Sequence, residues 1–476
     1  MLHGCRRAHH LLASCPRTTL SLLSRRNLLT LAIESSCDDT CVAILSKQNA
    51  SNEPKSKAAK LYFNEKVTLR NTGKGGITPV DALNSHQLYL PKLVEKSLHS
   101  LPNGDETLPP SKKFLLRNGA IKEKPDFISV TRGPGMLQNL STGLNTAKGL
   151  ATAWQIPMVG VHHMQAHALT PRLAYAMDGN AQNTTQTSKP DFPFLTLLVS
   201  GGHTMLLHSK GLVQHEILAS TADVAVGDEL DKCGRTILPP AIQQGTVDTA
   251  YGKYLSAYAF QNPEDFSSWK APTSRPEEIL RPLNEYGWAF STPMAKNRDL
   301  SFSFAGLGSQ VSRILNDHSG RNNGAPMGEE ERVVLARSVL GTAFEHLGSR
   351  TIIALEKLRG KGVEISTLVV SGGVAANHFL RYYLRQMLDV RSFAHVQLVF
   401  PPVDLCTDNA AMIAWAGMEM FEARFTTDLG CFPVRKWSMD SHSSDGGILG
   451  LDGWILADDR AWVADRNGTL RKEDEK

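Results

Sequence analysis

The sequence predicts an α/β protein made of two similar halves. Three observations point there. Short apolar runs of strand length alternate with longer segments of helical spacing. The run Thr196-Leu197-Leu198-Val199-Ser200-Gly201-Gly202 returns as Thr367-Leu368-Val369-Val370-Ser371-Gly372-Gly373, so each half is expected to carry an apolar strand ending in a backbone-exposing turn. With 476 residues, 41% hydrophobic and 21% charged, the chain has material for two or three domains and needs no disulfide staple.

The elements follow in order. Residues 1–27 hold Arg6, Arg7, Arg17, Arg25 and Arg26, many serines and leucines, and no acid. That composition predicts a mitochondrial transit peptide, against the plainer reading of a disordered tail. Without this arm 46 basic groups face 47 acids, a net of −1 instead of +4, so the rest is not a basic protein. If it binds nucleic acid, a local patch must do it. Leu28–Ile33, a polar turn and Val42–Leu45 read as a hairpin. Residues 47–60 read as a loop, 77–100 as a helix and 101–124 as an insertion. Phe127–Val130 reads as a strand running into the turn Arg132-Gly133-Pro134-Gly135, then Leu137–Trp154 as a helix with small residues on one side.

Val159–Val161 is a strand followed at once by His162-His163-Met164-Gln165-Ala166-His167. Residues 178–190 are a polar loop, and 237–298, rich in proline, read as an insertion or a mobile cover. Val333–Leu358 has an amphipathic helical pattern. The segment after Trp437 reads as an appendage. No stretch approaches the roughly 18 apolar residues of a membrane helix, so no membrane insertion is expected. Seven cysteines include no C-x-x-C pair, which argues against a disulfide framework or a zinc ribbon.

Some constellations could carry chemistry. His163 and His167 stand four apart, one face of a helix, and two imidazoles favour Zn or Fe over Mg or Ca. The alternative is a packed or surface pair. The zinc-protease pattern wants Glu directly after the first His, and Met164 stands there. Asp408, in Leu405-Cys406-Thr407-Asp408-Asn409-Ala410, is the candidate third ligand; its alternative is an N-cap. Glu34, Asp38 and Asp39 occupy the first turn and could orient a metal or phosphate, or be plain turn residues. Asn377 reads as a base or ribose contact or as a helix cap. Asp231 reads as part of a solvated helix face.

Taken together these segments resemble the tRNA N6-adenosine threonylcarbamoyltransferase family, on the actin/Hsp70/sugar-kinase fold. The matching pieces are Ile33–Thr40, Gly75–Pro79 with His86, Arg132–Gly135, Val161–His167, Val199–Thr204, Ser301–Leu307, Ser371–Asn377 and Cys406–Asn409. The Arg-rich arm suits the mitochondrial branch.

The resemblance implies two similar lobes with the active site in the cleft between them: 28–165 and 166–436, the latter carrying the insertion at 237–298, with an appendage at 437–476. It implies a divalent metal, Zn or Fe, on His163, His167 and Asp408. It implies substrate binding by Leu198, Val199, Ser200, Gly201, Gly202, Asp231 and Asn377. The family's Gly-Gly after the binding Asp is displaced here by Leu238-Pro239-Pro240, and Gly252 is the best match; the paired acids are reduced to Asp223 followed by Val224.

The implied reaction moves a threonylcarbamoyl group from threonylcarbamoyl-AMP, made by a separate synthase, to N6 of the adenosine 3′ of the anticodon in tRNAs reading ANN codons. A homodimer in the mitochondrial matrix is expected, and no residue identifies itself as the general base. The competing readings are a small-molecule kinase or ATPase on the same fold, which leaves the histidines unexplained; a metallopeptidase, which Met164 disfavours; and a non-catalytic nucleic-acid scaffold, which the near-neutral charge disfavours.

Overall fold

The computed structural model describes residues 27–48, 57–69, 78–178, 188–246, 250–321 and 324–457. The arm expected to be a transit peptide lies outside the described residues, apart from its last residue.

The chain opens with the strands β1 (Leu28–Glu34), β2 (Asp39–Lys47) and β3 (Ala59–Thr68). Helix α1 (Pro79–Leu98) and a small hairpin, β4 (Lys113–Leu115) and β5 (Ile121–Glu123), come next. Then follow β6 (Phe127–Gly133), α2 (Leu137–Trp154), β7 (Met158–His162) and α3 (His163–Met177). A second series begins with β8 (Phe194–Val199), β9 (Thr204–Ser209) and β10 (His215–Thr221). It continues through α4 (Val226–Ile237), α5 (Pro240–Gln244), α6 (Tyr251–Ala259), α7 (Arg275–Ile279), β11 (Ser301–Phe302), α8 (Gly306–Arg321) and α9 (Glu329–Gly360). It closes with β12 (Thr367–Ser371), α10 (His378–Val390), β13 (Gln397–Val399), α11 (Val403–Cys406), α12 (Ala410–Glu422), β14 (Phe425–Thr427) and β15 (Trp454–Leu456).

The first sheet runs β3-β2-β1-β6-β7 and the second β11-β10-β9-β8-β12-β13. In each, an antiparallel three-strand meander is extended by two parallel strands reached through helices. The two halves thus share one topology, with β11 added at an edge. This is the two-lobed actin-like α/β fold that the resemblance implies.

The Ser-Gly-Gly repeat is not the trace of that duplication. Both copies lie in the second sheet, where Ser371 pairs with Leu198 on the neighbouring parallel strand. Topologically β8 corresponds to β1, so the counterpart of Ser200-Gly201-Gly202 is Ser35-Ser36-Cys37. The two Ser-Gly-Gly turns therefore sit side by side. Gly372 has φ +99°, and a Cβ there would lie 2.4 Å from the Val199 carbonyl oxygen. Only glycine allows that approach.

Period-two alternation sorts the first sheet's side chains. Leu29, Leu31 and Ile33 join Leu90 and Leu144 of α1 and α2, while Ala32, Ala43 and Phe127 join Trp415 of α12. Both faces are covered, which is why β1, β2, β6 and β7 are buried throughout. Gly417 of α12 sits so close to β6 that a Cβ would lie 2.2 Å from Ser129 Oγ. So α12, late in sequence, completes the first lobe, and a division at 165/166 cuts through α3.

Three expectations need correcting. The pattern at Val333–Leu358 suggested an amphipathic helix, yet α9 is buried on all sides from Val339 to Leu355, enclosed by α4, α6, α8 and α10. Residues 237–298 are no loose cover among the described residues: Leu255, Ala259, Trp288 and Phe290 enter the second lobe's core. Glu278, fully buried, holds this segment to α9 and α10 by accepting from Ser349 Oγ at 2.8 Å and Arg391 at 2.5 Å, and it also pairs with Arg275. The start of the appendage is likewise built in, with Trp437, Met439 and Ile448 buried in the cluster that contains the first sheet.

Candidate metal and substrate site

Strand β7 ends at His162 and α3 starts at His163 without a linker. The His162 side chain caps the new helix, its Nδ1 accepting from Met164 N at 3.2 Å. Its Nε2 donates to the Trp437 carbonyl at 3.0 Å. Burial pushes His162 down to about 3, which keeps the ring neutral and free to cap. The helix then presents His163 and His167 together, ring centroids 4.8 Å apart.

Asp408 meets them from the turn between α11 and α12. Asn409, not Asp408, is the N-cap of α12, accepting from Met412 N at 3.0 Å. That leaves the Asp408 carboxylate for the histidines: Oδ1 lies 3.0 Å from His167 Nε2 and 3.5 Å from His163 Nε2. One ligand atom from each of the three residues fits within a span of 4.8 Å.

Glu34 supports this set from behind. It is buried at 1% exposure, at the end of β1. Oε2 sits 3.0 Å from His163 Nδ1, and Oε1 accepts from Ser36 N at 2.6 Å. Thr131 donates to it as well. A carboxylate on the far nitrogen fixes the tautomer that leaves Nε2 for a metal. Burial alone would depress His163, but Glu34 and Asp408 outweigh it and hold the ring up at about 9. Burial would raise Asp408, and the two histidines hold it below the usual carboxylate range.

The donor set suits Zn or Fe: two imidazoles, one carboxylate, and an outer carboxylate already in place. His167 Nδ1 is buried without a partner among the described residues, so that ring is fixed by its neighbours and by the Asp408 side alone. These three residues would hold the ion.

The substrate residues implied by the resemblance fall into two groups. Leu198 and Val199 are buried in β8 and aim the turn Ser200-Gly201-Gly202. A Cβ on Gly201 or Gly202 would meet nothing within 4 Å, so this turn faces open space. The second turn joins it to the metal segment, since a Cβ on Gly373 would lie 3.9 Å from Thr407. His203, directly after the first turn, lies within the electrostatic reach of His163, His167 and Asp408, and burial with the two histidines pushes it down to about 4. Asp231, Gly252 and Asn377 cluster around α6: Gly252 N donates to Asp231 Oδ1 at 2.6 Å, and Asn377 Nδ2 donates to Ser256 Oγ at 3.0 Å. Asn377 also caps α10, accepting from Leu380 N at 3.1 Å, which is the cap reading of this residue.

Sequence reasoning missed some contributors. Lys66 of β3 reaches Asp39 at 2.9 Å, Thr407 Oγ1 at 3.2 Å and the Asp408 carbonyl at 3.4 Å, placing a cation beside the metal set. A lysine on an edge strand gives no local signal. Ser36, whose Oγ is 3.3 Å from His163 Nδ1, sits in the first polar turn, where nothing local marks it out. Asp223, named above as the acid left of the family's pair but given no role there, holds the Ser301–Leu307 segment by accepting from Ser303 Oγ, Phe304 N and Ala305 N at 2.7, 3.0 and 3.3 Å.

The comparisons with known proteins identify a family. The family model described as tRNA N6-adenosine threonylcarbamoyltransferase matches residues 61–415. The mitochondrial tRNA N6-adenosine threonylcarbamoyltransferase of Schizosaccharomyces pombe is 34% identical over 451 residues, 93% of this chain and 92% of that protein. That of Danio rerio is 30% identical over 402 residues, 83% of each chain. A tRNA N6-adenosine threonylcarbamoyltransferase of Chelativorans sp. is 30% identical over 418 residues, 87% of this chain and 96% of that protein. Match length, identity and coverage together place the chain in the tRNA N6-adenosine threonylcarbamoyltransferase family.

Proposed function

We propose that this enzyme transfers the threonylcarbamoyl group from threonylcarbamoyl-AMP to N6 of the adenosine 3′ of the anticodon, in mitochondrial tRNAs reading ANN codons. The observation that carries it is the His163–His167–Asp408 set opening beside the Ser200–Gly202 turn. In the reaction N6 bonds to the carbamoyl carbon, the bond from that carbon to the phosphate oxygen breaks, AMP leaves, and N6 gives up one proton. A Zn or Fe ion on the three ligands supplies Lewis acidity toward donor oxygens when bound.

The chain's own residues do the positioning. Gly201 and Gly202 let backbone N–H groups approach the donor's phosphate or carbamoyl part. Asp231, Gly252 and Asn377 line the nucleotide side. Lys66 adds positive charge where the leaving phosphate gathers negative charge. An exocyclic amine is a weak nucleophile, so orientation carries much of the rate. A kinase reading would need the same turns and leave the metal set idle.

A separate synthase supplies the adenylate, and the enzyme works as a homodimer in the mitochondrial matrix, with the acid-free arm as its transit peptide. The names of the S. pombe and Danio rerio relatives support the compartment. The test is to incubate the mature chain with an adenylate-forming synthase, threonine, bicarbonate, ATP and unmodified mitochondrial tRNA, then digest the RNA. Threonylcarbamoyl-adenosine is expected and should vanish with His163→Ala/His167→Ala. Product that survives in that variant would sink the metal assignment, and none from folded wild type would sink the reaction.

A further inference from the structure

The near-neutral charge of the chain requires a local patch if RNA is to dock, and a surface of that character is present among the described residues. Two acid-free stretches of sequence, Phe127–Met177 and Leu429–Met439, meet at the end of β6. Val434 N donates to the Arg132 carbonyl at 2.8 Å and Gly135 N to the Arg435 carbonyl at 3.3 Å, which lays the second stretch along the first. The ridge so formed carries Phe432 at 77% exposure, more than any other exposed large hydrophobic among the described residues. Arg435 and Lys436 beside it are exposed and make no side-chain ion pair or hydrogen bond among the described residues. Lys148 of α2 donates to the Cys431 carbonyl at 2.5 Å and stands 5.9 Å from the Phe432 ring centroid. Three acids border the segment: Asp428 accepts from Gly430 N at 2.6 Å, Asp445 accepts from Ser438 N at 3.2 Å, and Asp452 lies beside Arg132.

The ridge borders the metal set. Met136 N, next to Gly135, donates to the Ser36 carbonyl at 2.9 Å, and Ser36 Oγ is 3.3 Å from His163 Nδ1. From the other end of the segment, the Trp437 carbonyl accepts from His162 Nε2 at 3.0 Å. The segment is held firmly: Arg132 donates to the Phe432 carbonyl at 3.0 Å and to the Asp452 carbonyl at 2.7 Å. An exposed aromatic on a rigid support, flanked by unpaired cations, is what an unstacked RNA base and its phosphates select.

We infer that Phe432, Arg435, Lys436 and Lys148 form the docking ridge for the tRNA anticodon loop, Phe432 stacking on an unpaired base and the cations meeting the flanking phosphates. This deepens the reaction proposed above and rests on that reading for the identity of the RNA.

The test titrates a labelled anticodon stem–loop RNA into the mature, metal-loaded enzyme at several salt concentrations. Phe432→Ala is expected to weaken binding by roughly tenfold or more, and Phe432→Trp to restore it. Arg435→Gln/Lys436→Gln is expected to flatten the dependence of log affinity on log salt by about 0.7 for each phosphate no longer neutralised. Both should raise KM for tRNA, while metal affinity, read by titration, stays at the wild-type value. Unchanged RNA affinity and salt slope would overturn the ridge. So would a shift in self-association by light scattering with RNA affinity intact, which would make this face an interface between copies of the chain. Wild type that binds the RNA yet forms no threonylcarbamoyl-adenosine would overturn the reaction and leave the ridge standing.

Discussion

Replacing Glu34 by glutamine tests whether the buried carboxylate sets the metal site. The substitution keeps shape and volume, so it leaves no cavity. One side-chain oxygen can still accept from Ser36 N, now 2.6 Å from Oε1. The amide NH2 then takes the Oε2 position, 3.0 Å from His163 Nδ1. A donor there requires Nδ1 to accept, so the proton moves to Nε2, the nitrogen that faces Asp408 at 3.5 Å. To bind a metal, the ring must then give up that hydrogen bond or change its tautomer. Loss of such an outer partner costs about 10- to 100-fold in metal affinity, about 1.4–2.8 kcal/mol. The assay is competition between apoenzyme and a chromophoric chelator for Zn, with unfolding of the apo form measured in parallel. Affinity within twofold of wild type would refute the argument that Glu34 orients His163.

Further outcomes follow from the same geometry. His163 in the apo form is held at about 9, above its ordinary 6.5, so its contribution is complete below 6.5 and is lost as pH rises through about 9. Denaturant unfolding of the apoenzyme should show a loss of up to about 3 kcal/mol across that window, and His163→Asn should remove it; metal affinity should rise over the same range because proton and metal compete. At the acid end, burial holds His215 neutral at about 4, so its share of stability is present above 6.5 and fades as pH falls toward 4; His215→Gln should flatten that acid limb. Gly372→Ala, at φ +99° and 2.4 Å from a carbonyl oxygen, should cost about 2 kcal/mol or more in unfolding experiments. Gly201→Ala, facing open space, should leave stability within about 0.5 kcal/mol yet lower transfer activity, because its added methyl intrudes on substrate. Asn409→Ala removes the cap of α12 and should cost about 1 kcal/mol, with weaker metal binding as Asp408 loses its fixed turn.

Local chemistry was legible where it follows from the chain alone. Leu137–Trp154 reads as a helix and is one, because its small residues keep a helical period. The i, i+4 spacing of His163 and His167 determines that a helix will present both rings together. The acid-free stretches are visible in the sequence, although where they meet is not.

What depends on distant partners was not legible. Whether Asp408 caps a helix or turns toward the histidines was settled by Asn409 taking the cap, a contest between neighbours that composition does not rank. Glu34, Lys66 and Asp408 come together across more than three hundred residues because β1, β3 and the start of α12 share the first sheet's end. The Ser-Gly-Gly recurrence suggested one turn for each half, but strand pairing set both side by side in a single sheet. The burial of α9 and of residues 237–298 was hidden for the same reason: periodicity reports one exposed face, and enclosing helices can remove that face. Backbone sterics and side-chain period, both written in the sequence, limit what each segment can be. The tertiary structure decides which groups meet, because burial and hydrogen bonding are satisfied only across the whole chain.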